Sequence, residues 1–306
     1  MERFRRLGYG FRLSIKVEQT FTMIVSIRFF LGLLVCLSMG MAQAITFRAS
    51  IDESKWVLES SKFECKLSQN IPAFGIGEFL HEAGVEPLFT LKPTQRLAIK
   101  RKAMLVVEAS PWQPGIATAV IGPLEAGRVL KTNPIYAGQM LVSLYKGMSP
   151  TFTVDKWMNS TDQLRVALSA ANFKGAYNDY ISCVAGLLPA NYRQVARTAV
   201  LFPPAAWTLS DATRERLDLI AFYVKEDKSV SAIYIDGHSD SGGRRLLNRD
   251  LSKLRAEEVT RYLVSMGVED SMITTRYHGE RYPVVPNTSK TNQARNRRVT
   301  IRLDKN

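Results

Sequence analysis

The sequence predicts an α+β protein of two domains: an N-terminal β-rich domain closed by one disulfide, then a C-terminal α/β sandwich with helices against one sheet. Three observations carry this. Apolar, strand-like patterning broken by Pro and Gly runs from Ile45 to about Pro150. From about residue 195 strand and helix patterns alternate and end in strands, the order of helices layered on a sheet. Only two cysteines, Cys65 and Cys183, remain once an N-terminal leader is set aside. A length of 306 residues suits two modest domains.

The leader comes first along the chain. Phe29 to Met39 reads FFLGLLVCLSM, shorter than the ~20 residues a spanning helix needs. Arg28 flanks it, and Ala42-Gln43-Ala44 follows as a small-x-small cleavage site. Residues 1–44 therefore read as a signal peptide, with Met23 as the expected start. Cys36 leaves with it, and Leu33-Leu34-Val35 lacks the small residue expected ahead of a lipidated cysteine. The whole chain carries net charge +13; removal takes six of its 41 basic and two of its 28 acidic residues, leaving +9. Such a charge favours acidic partners, and export makes nucleic acid an unexpected one. An even cysteine count in an oxidising compartment predicts one bridge, with two buried free thiols as the alternative.

Residues 45–190 are expected to form the first domain. Ala98 to Glu108 is β-rich in its second half, and Pro111-Trp112-Gln113-Pro114-Gly115 breaks the pattern. Thr161-Asp162-Gln163 is expected to cap a helix carrying Leu164, Val166, Ala167, Leu168 and Ala171. Phe173, Tyr177, Tyr180 and Ile181 then follow at helical steps toward Cys183.

Leu188-Pro189-Ala190-Asn191 reads as a linker, and residues 195–306 as the second domain. Thr198–Phe202 is strand-like, and Ser210-Asp211 caps a helix with Leu217, Ile220, Ala221 and Val224 inward. Ala232–Ile235 is a strand. Leu251–Met266 is a helix with Leu251, Leu254, Val259, Leu263 and Met266 as its buried stripe. Ser271–Tyr277 and Arg298–Leu303 are the closing strands. No internal repeat or low-complexity segment is evident.

Between strand and helix lies Gly237-His238-Ser239-Asp240-Ser241-Gly242-Gly243. A serine nucleophile elbow needs G-x-S-x-G, and Ser241 breaks that pattern. Asp236, His238 and Asp240 would share a face of an extended strand, but no second His or Cys cluster completes a metal site, so no metal is expected. A third reading pairs Asp240 on the loop with Arg255 in the first turn or so of the helix. Standing apart and exposed, they would accept an ammonium and hold a carboxylate, the two ends of a zwitterion. Against it stands a plain Asp240–Arg255 surface salt bridge.

At these residues a resemblance appears. Gly237-His238-Ser239-Asp240, Asn248, Leu251-Ser252, Arg255-Ala256, Val259, Tyr262-Leu263, Gly279-Glu280, Pro283, Asn287 and Asn296-Arg297-Arg298-Val299 resemble an OmpA-like C-terminal domain over roughly residues 195–306. The resemblance implies an OmpA-like α/β sandwich that binds peptidoglycan non-covalently, gripping the zwitterionic end of diaminopimelate. It implies Asp240 and Arg255 as central ligands, supported by Asn248, Leu251 and Arg297. Ser239 stands where that family usually has Thr, and Asn292-Gln293 where Gly-Arg usually precedes the NRRV run.

The front half is similar to the MotY family of flagellar motor ring proteins. The motifs are Phe63-Glu64-Cys65-Lys66-Leu67, Ile71-Pro72, Phe74-Gly75, the Pro111–Gly115 turn, and a run from Trp157 through Val166, Phe173, Tyr177, Tyr180 and Cys183 to Leu187-Leu188. This likeness implies a periplasmic, non-enzymatic protein without cofactor, in a ring oligomer, associated with the flagellar basal body and stator and with a MotX-like partner. It also implies a Cys65–Cys183 disulfide. Two other functions compete. One is a general envelope protein tethered to the wall without a motor role. The other is a wall-cutting enzyme using Glu78, Glu82 and Glu86, although four-residue steps suit a solvated turn or short helix better.

Overall fold

The computed structural model describes residues 45–94, 102–110, 112–113, 115, 117–125, 127–154 and 163–306. The leader, Trp157 and the capping pair Thr161-Asp162 lie outside the described residues. The N-terminal strands are β1 (Ile45–Phe47), β2 (Trp56–Ser60), β3 (Glu64–Ile71), β4 (Gly75–Glu82), β5 (Leu88–Pro93), β6 (Ala103–Ala109), β7 (Ala119–Leu124) and β8 (Leu130–Lys131). Helix α1 (Pro134–Tyr145), β9 (Met148–Val154), β10 (Leu164–Ala167) and α2 (Phe173–Ala185) follow. They build two five-stranded sheets, ordered β2-β3-β4-β5-β8 and β1-β10-β9-β6-β7.

Alternation drives this half. In β3, Cys65, Leu67, Gln69 and Ile71 turn inward while the residues between them do not. Phe79 and Phe89 meet at 4.7 Å, and Phe89 of one sheet stacks on Phe152 of the other at 5.5 Å, so the sheets face one another across an aromatic core. Gly77 makes room for that core, since a Cβ there would stand 2.8 Å from Leu168 and 2.9 Å from Phe89. Cys65 and Cys183, 118 residues apart, are disulfide-bonded with their Cα atoms 6.0 Å apart, which disposes of the free-thiol alternative.

Two expectations need correction here. Leu164–Ala167 is a strand, not a helix: Leu164 and Val166 point inward on a period of two, and the helix begins only at Phe173, after Asn172 turns left-handed at φ 60°. Conversely, α1 interrupts a stretch read as strands. Asn133 accepts a hydrogen bond from the Tyr136 amide at 2.8 Å, and Pro134 occupies the first turn, where its missing N–H costs nothing.

The C-terminal half contains α3 (Tyr192–Val195), β11 (Arg197–Leu201), α4 (Asp211–Glu226), β12 (Val230–Gly237), α5 (Arg245–Ser265), β13 (Ile273–Tyr277), α6 (Lys290–Asn296) and β14 (Arg298–Lys305). Its sheet runs β11-β14-β12-β13, with β12 and β13 parallel and the other pairs antiparallel. Ile233, Ile235, Val299 and Ile301 lie in one buried cluster with Leu217, Ile220, Val259 and Leu263 of α4 and α5. Tyr234 alternates to the other side, between the guanidiniums of Arg276 and Arg302. Ser210 caps α4 as the sequence predicts.

Helix α5 departs from expectation. It starts at Arg245 rather than Leu251, so Arg255 lies nearly three turns inside it, not in the first turn. Its buried residues are Asn248, Ser252, Arg255, Ala256, Val259 and Leu263, while Leu254 is exposed. The inward stripe is half polar because it faces the site loop, so hydrophobicity misplaced it.

The predicted linker is packed rather than free. Leu188 and Ala190, with Ala83 of the N-terminal half, belong to the same core cluster as α4 and α5, and Phe63 packs against it. The Leu188 amide donates to the Lys62 carbonyl at 2.9 Å, and Asn191 donates to the Ala83 carbonyl at 3.1 Å while capping α3. Residues 46–154 and 165–306 accordingly fall in one compact unit. Among the described residues, no helix is long and apolar enough to cross a membrane.

Candidate functional site

The site forms where β12 ends against α5. Gly237 is required there: a Cβ would stand 2.1 Å from the Ser252 carbonyl oxygen, so only glycine lets strand and helix approach this closely. The following residues are pinned by backbone bonds. His238 N–H donates to the Arg298 carbonyl at 2.9 Å, and Ser239 N–H to the Gly279 carbonyl at 2.9 Å. Ser252 Oγ accepts from the Gly279 amide at 2.9 Å and donates to the Arg249 carbonyl at 2.7 Å.

Arg255 is 0% exposed. Its guanidinium donates to three backbone carbonyls, those of Ala206 (2.8 Å), Pro203 (3.0 Å) and His238 (3.2 Å), and lies over the Phe202 ring at 5.2 Å. A guanidinium has five N–H donors, so two further bonds can be made. Among the described residues no carboxylate lies within salt-bridge distance of it. Burial and then the neighbouring Arg297 charge lower its pKa to about 10, with Asp240 opposing, so it stays protonated at neutral pH.

Asp240 pairs with Arg297, not with Arg255. Arg297 Nη1 donates to Asp240 Oδ2 at 2.8 Å and its Nε to the Phe202 carbonyl at 3.1 Å. Both side chains are largely covered, at 12% and 16% exposure. Gly242 N–H donates to the other carboxylate oxygen at 3.1 Å. The cluster thus holds two guanidiniums against one carboxylate. Two expectations are corrected: neither Asp240 nor Arg255 is an exposed free charge, and Asp240 does not stand unpaired. The cause is the segment Phe202–Ala206, whose carbonyls draw both arginines beneath the surface.

The other expected residues sit nearby. Asn248 and Leu251 occupy the Arg255 face of α5, one to two turns earlier. Asn248 is buried and donates to Glu280 Oε2 at 2.8 Å; Leu251 is half-buried. The sequence does not single out the carbonyls of Pro203 and Ala206; Phe202-Pro203-Pro204 after a strand carries only a turn signal. Asn296 is marked in the sequence by the resemblance alone. It is fully buried and bonds Val284, Val285 and Asn287, fixing the far wall.

His238 is neutral at pH 7, its pKa pushed down to about 4 by burial, then by Arg298 and His278. Asp236 is bonded twice by Arg276 and once by His278, and these hydrogen bonds hold its pKa low although burial pushes the other way. Among the described residues no group of three or more His, Cys, Asp or Glu is placed to hold a metal.

The sheet covered by two helices, with an arginine-rich crevice at a strand end, is a domain of the OmpA class: residues 201–297 match the OmpA family. Residues 47–189 match the MotY N-terminal domain. The chain therefore joins a MotY N-terminal domain to a C-terminal domain of the OmpA family. It is 29% identical over 263 residues to the sodium-type flagellar protein MotY of Vibrio parahaemolyticus, covering 83% of this chain and 89% of that one. It is 36% identical over 104 residues to the probable lipoprotein YiaD of Escherichia coli, covering 34% and 47% of the two chains. Among solved structures, the peptidoglycan-associated lipoprotein from Burkholderia pseudomallei overlaps 35% of this chain and 89% of that one, with 28% identity and a TM-score of 0.33.

Proposed function

We propose that this is a non-enzymatic periplasmic component of the flagellar motor that anchors the basal body and stator to peptidoglycan. In this reading residues 1–44 are a signal peptide, 45–190 the half that meets a MotX-like partner and the basal body, and 195–306 the half that holds the wall. Several copies in a ring supply retention through effective concentration, since one small ligand grip is modest. The likeness to MotY across most of the chain supports the motor assignment over a general envelope tether.

One observation carries the wall assignment: a buried guanidinium with two spare donors beside a carboxylate that is held by a second guanidinium. A buried positive charge without an ionic partner favours an incoming carboxylate. Diaminopimelate supplies that carboxylate together with an ammonium. Binding then exchanges partners: the Asp240–Arg297 pair parts, Asp240 accepts from the ammonium, and Arg255 and Arg297 share the carboxylate. Asn248 and Leu251 line the approach. Sedimentation with purified peptidoglycan sacculi tests this. Binding should be competed by free diaminopimelate and lost in Asp240→Asn. Sedimentation that diaminopimelate does not compete and Asp240→Asn does not weaken would refute the pocket.

A further inference from the structure

Helix α1 is apolar on two sides. Its inner face, Ala137, Met140, Leu141 and Leu144, is buried. Its outer face presents Ile135 at 70%, Val142 at 50% and Tyr145 at 44% exposure, with Gln139 the exposed polar residue among them, and no residue from Pro134 to Tyr145 is charged. Surface helices ordinarily turn charged or polar residues to water, so an uncharged outer face marks a contact surface. Positions 135, 142 and 146 lie seven and four residues apart, on one stripe roughly 16 Å long. Gly138 lies along the same side with open space where a Cβ would be, which allows another backbone to come close.

The stripe leads into a cavity. Lys146 lines a space of about 530 Å³ with Leu144, Phe173, the exposed Trp112 and Lys174, and no lining residue is acidic. The Lys174 ammonium lies 5.4 Å from the Tyr145 ring centroid, joining cavity rim to helix stripe. Among the described residues neither Lys146 nor Lys174 has a carboxylate within salt-bridge distance.

We propose that this stripe and cavity dock an acidic amphipathic segment of a partner protein. Its apolar side chains cover Ile135 and Val142 and enter the cavity, and its carboxylates neutralise Lys146 and Lys174. A second copy meeting the same patch would set lysine against lysine, which argues for a different, acidic partner. The inference rests on the reading that the N-terminal half is the partner-binding side.

Selection of a random 12-residue peptide library on the immobilised full chain tests it. Enriched peptides should carry net negative charge with aliphatic or aromatic residues. Their affinity should fall at least tenfold in Val142→Asp and in the double variant Lys146→Glu, Lys174→Glu, with circular dichroism unchanged. Failure to enrich any peptide, enrichment of uncharged or basic ones, or binding indifferent to both variants overturns the proposal. So does self-association abolished by Val142→Asp, which assigns the face to a second copy. Binding to vesicles of phosphatidylglycerol and phosphatidylethanolamine, lost in the lysine variant, assigns it to lipid instead. Sacculus sedimentation of the same variants should equal that of the parent chain, and its failure in the parent chain would count against the wall anchor, not this surface.

Discussion

Arg255 has a structural role, and the proposed wall-binding role can be separated from it by variants. Its three bonds to the carbonyls of Pro203, Ala206 and His238 tie the segment after β11 to the end of β12. Arg255→Ala leaves those acceptors unpaired and should cost roughly 3 kcal/mol of stability as well as wall binding, read by urea unfolding beside sedimentation. Arg255→Lys keeps the charge but not the fork, and should recover only part of either. Asp240→Asn keeps the shape and the Gly242 contact, so it should lower sacculus affinity at least tenfold with a smaller stability change. His238 adds a pH signature. Its folded pKa of about 4 lies below the ordinary value near 6.5, so the unfolded chain takes up the proton first. Its contribution is complete above pH 6.5 and falls away as pH drops toward 4, by roughly 3 kcal/mol. Chemical denaturation at several pH values should show that slope, and His238→Asn should flatten it.

At the scale of elements, Gly237 governs how α5 seats on the sheet. A methyl group there meets the Ser252 carbonyl at 2.1 Å, so Gly237→Ala should destabilise the C-terminal half by about 2 kcal/mol or more. Loss of wall binding should accompany it, because the same contact sets the height of the site loop. Much of this half was legible in the sequence: Ser210 as a cap, the strand around Ile233, and the order of the four strands and two long helices follow from capping and periodicity, whereas the short α3 and α6 do not. The start of α5 was not, since Arg245 to Asn248 shows no apolar period and the turns bury Asn, Ser and Arg instead of leucine. In the N-terminal half, Leu164–Ala167 misled because four apolar-rich residues fit either period, and the choice belongs to the strands beside them. Helix α1 had a readable signal, Asn133-Pro134, but its apolar content on two faces masked the helical stripe. At the candidate site, Asp240, Arg255 and Arg297 are named by the resemblance, whereas the burial of the two arginines depends on backbone carbonyls of the Phe202–Ala206 segment, which no side-chain pattern announces.

For the whole molecule, the disulfide and the packed joint act together. Cys65 lies two residues from Phe63, which packs on the C-terminal core, and Cys183 lies five before Leu188, which bonds Lys62. Closing a chain segment this long is worth about 5 kcal/mol in the chain-entropy model. Cys65→Ser should therefore lower the midpoint of urea unfolding of the N-terminal half. It should also loosen the joint, detectable as faster amide exchange at Leu188, while peptidoglycan sedimentation of the folded fraction is retained.

The antiparallel ladder between β11 and β14 has a mechanical corollary. Leu201 lies opposite Arg298 and Arg197 opposite Arg302, so the N-terminal half enters the ladder at one end while the crevice residue Arg297, bonded to Asp240, enters it at the other. Tension between those entry points draws the two strands past each other in shear. Every rung then resists at the same moment, where a pull from a shared end would unzip them one by one.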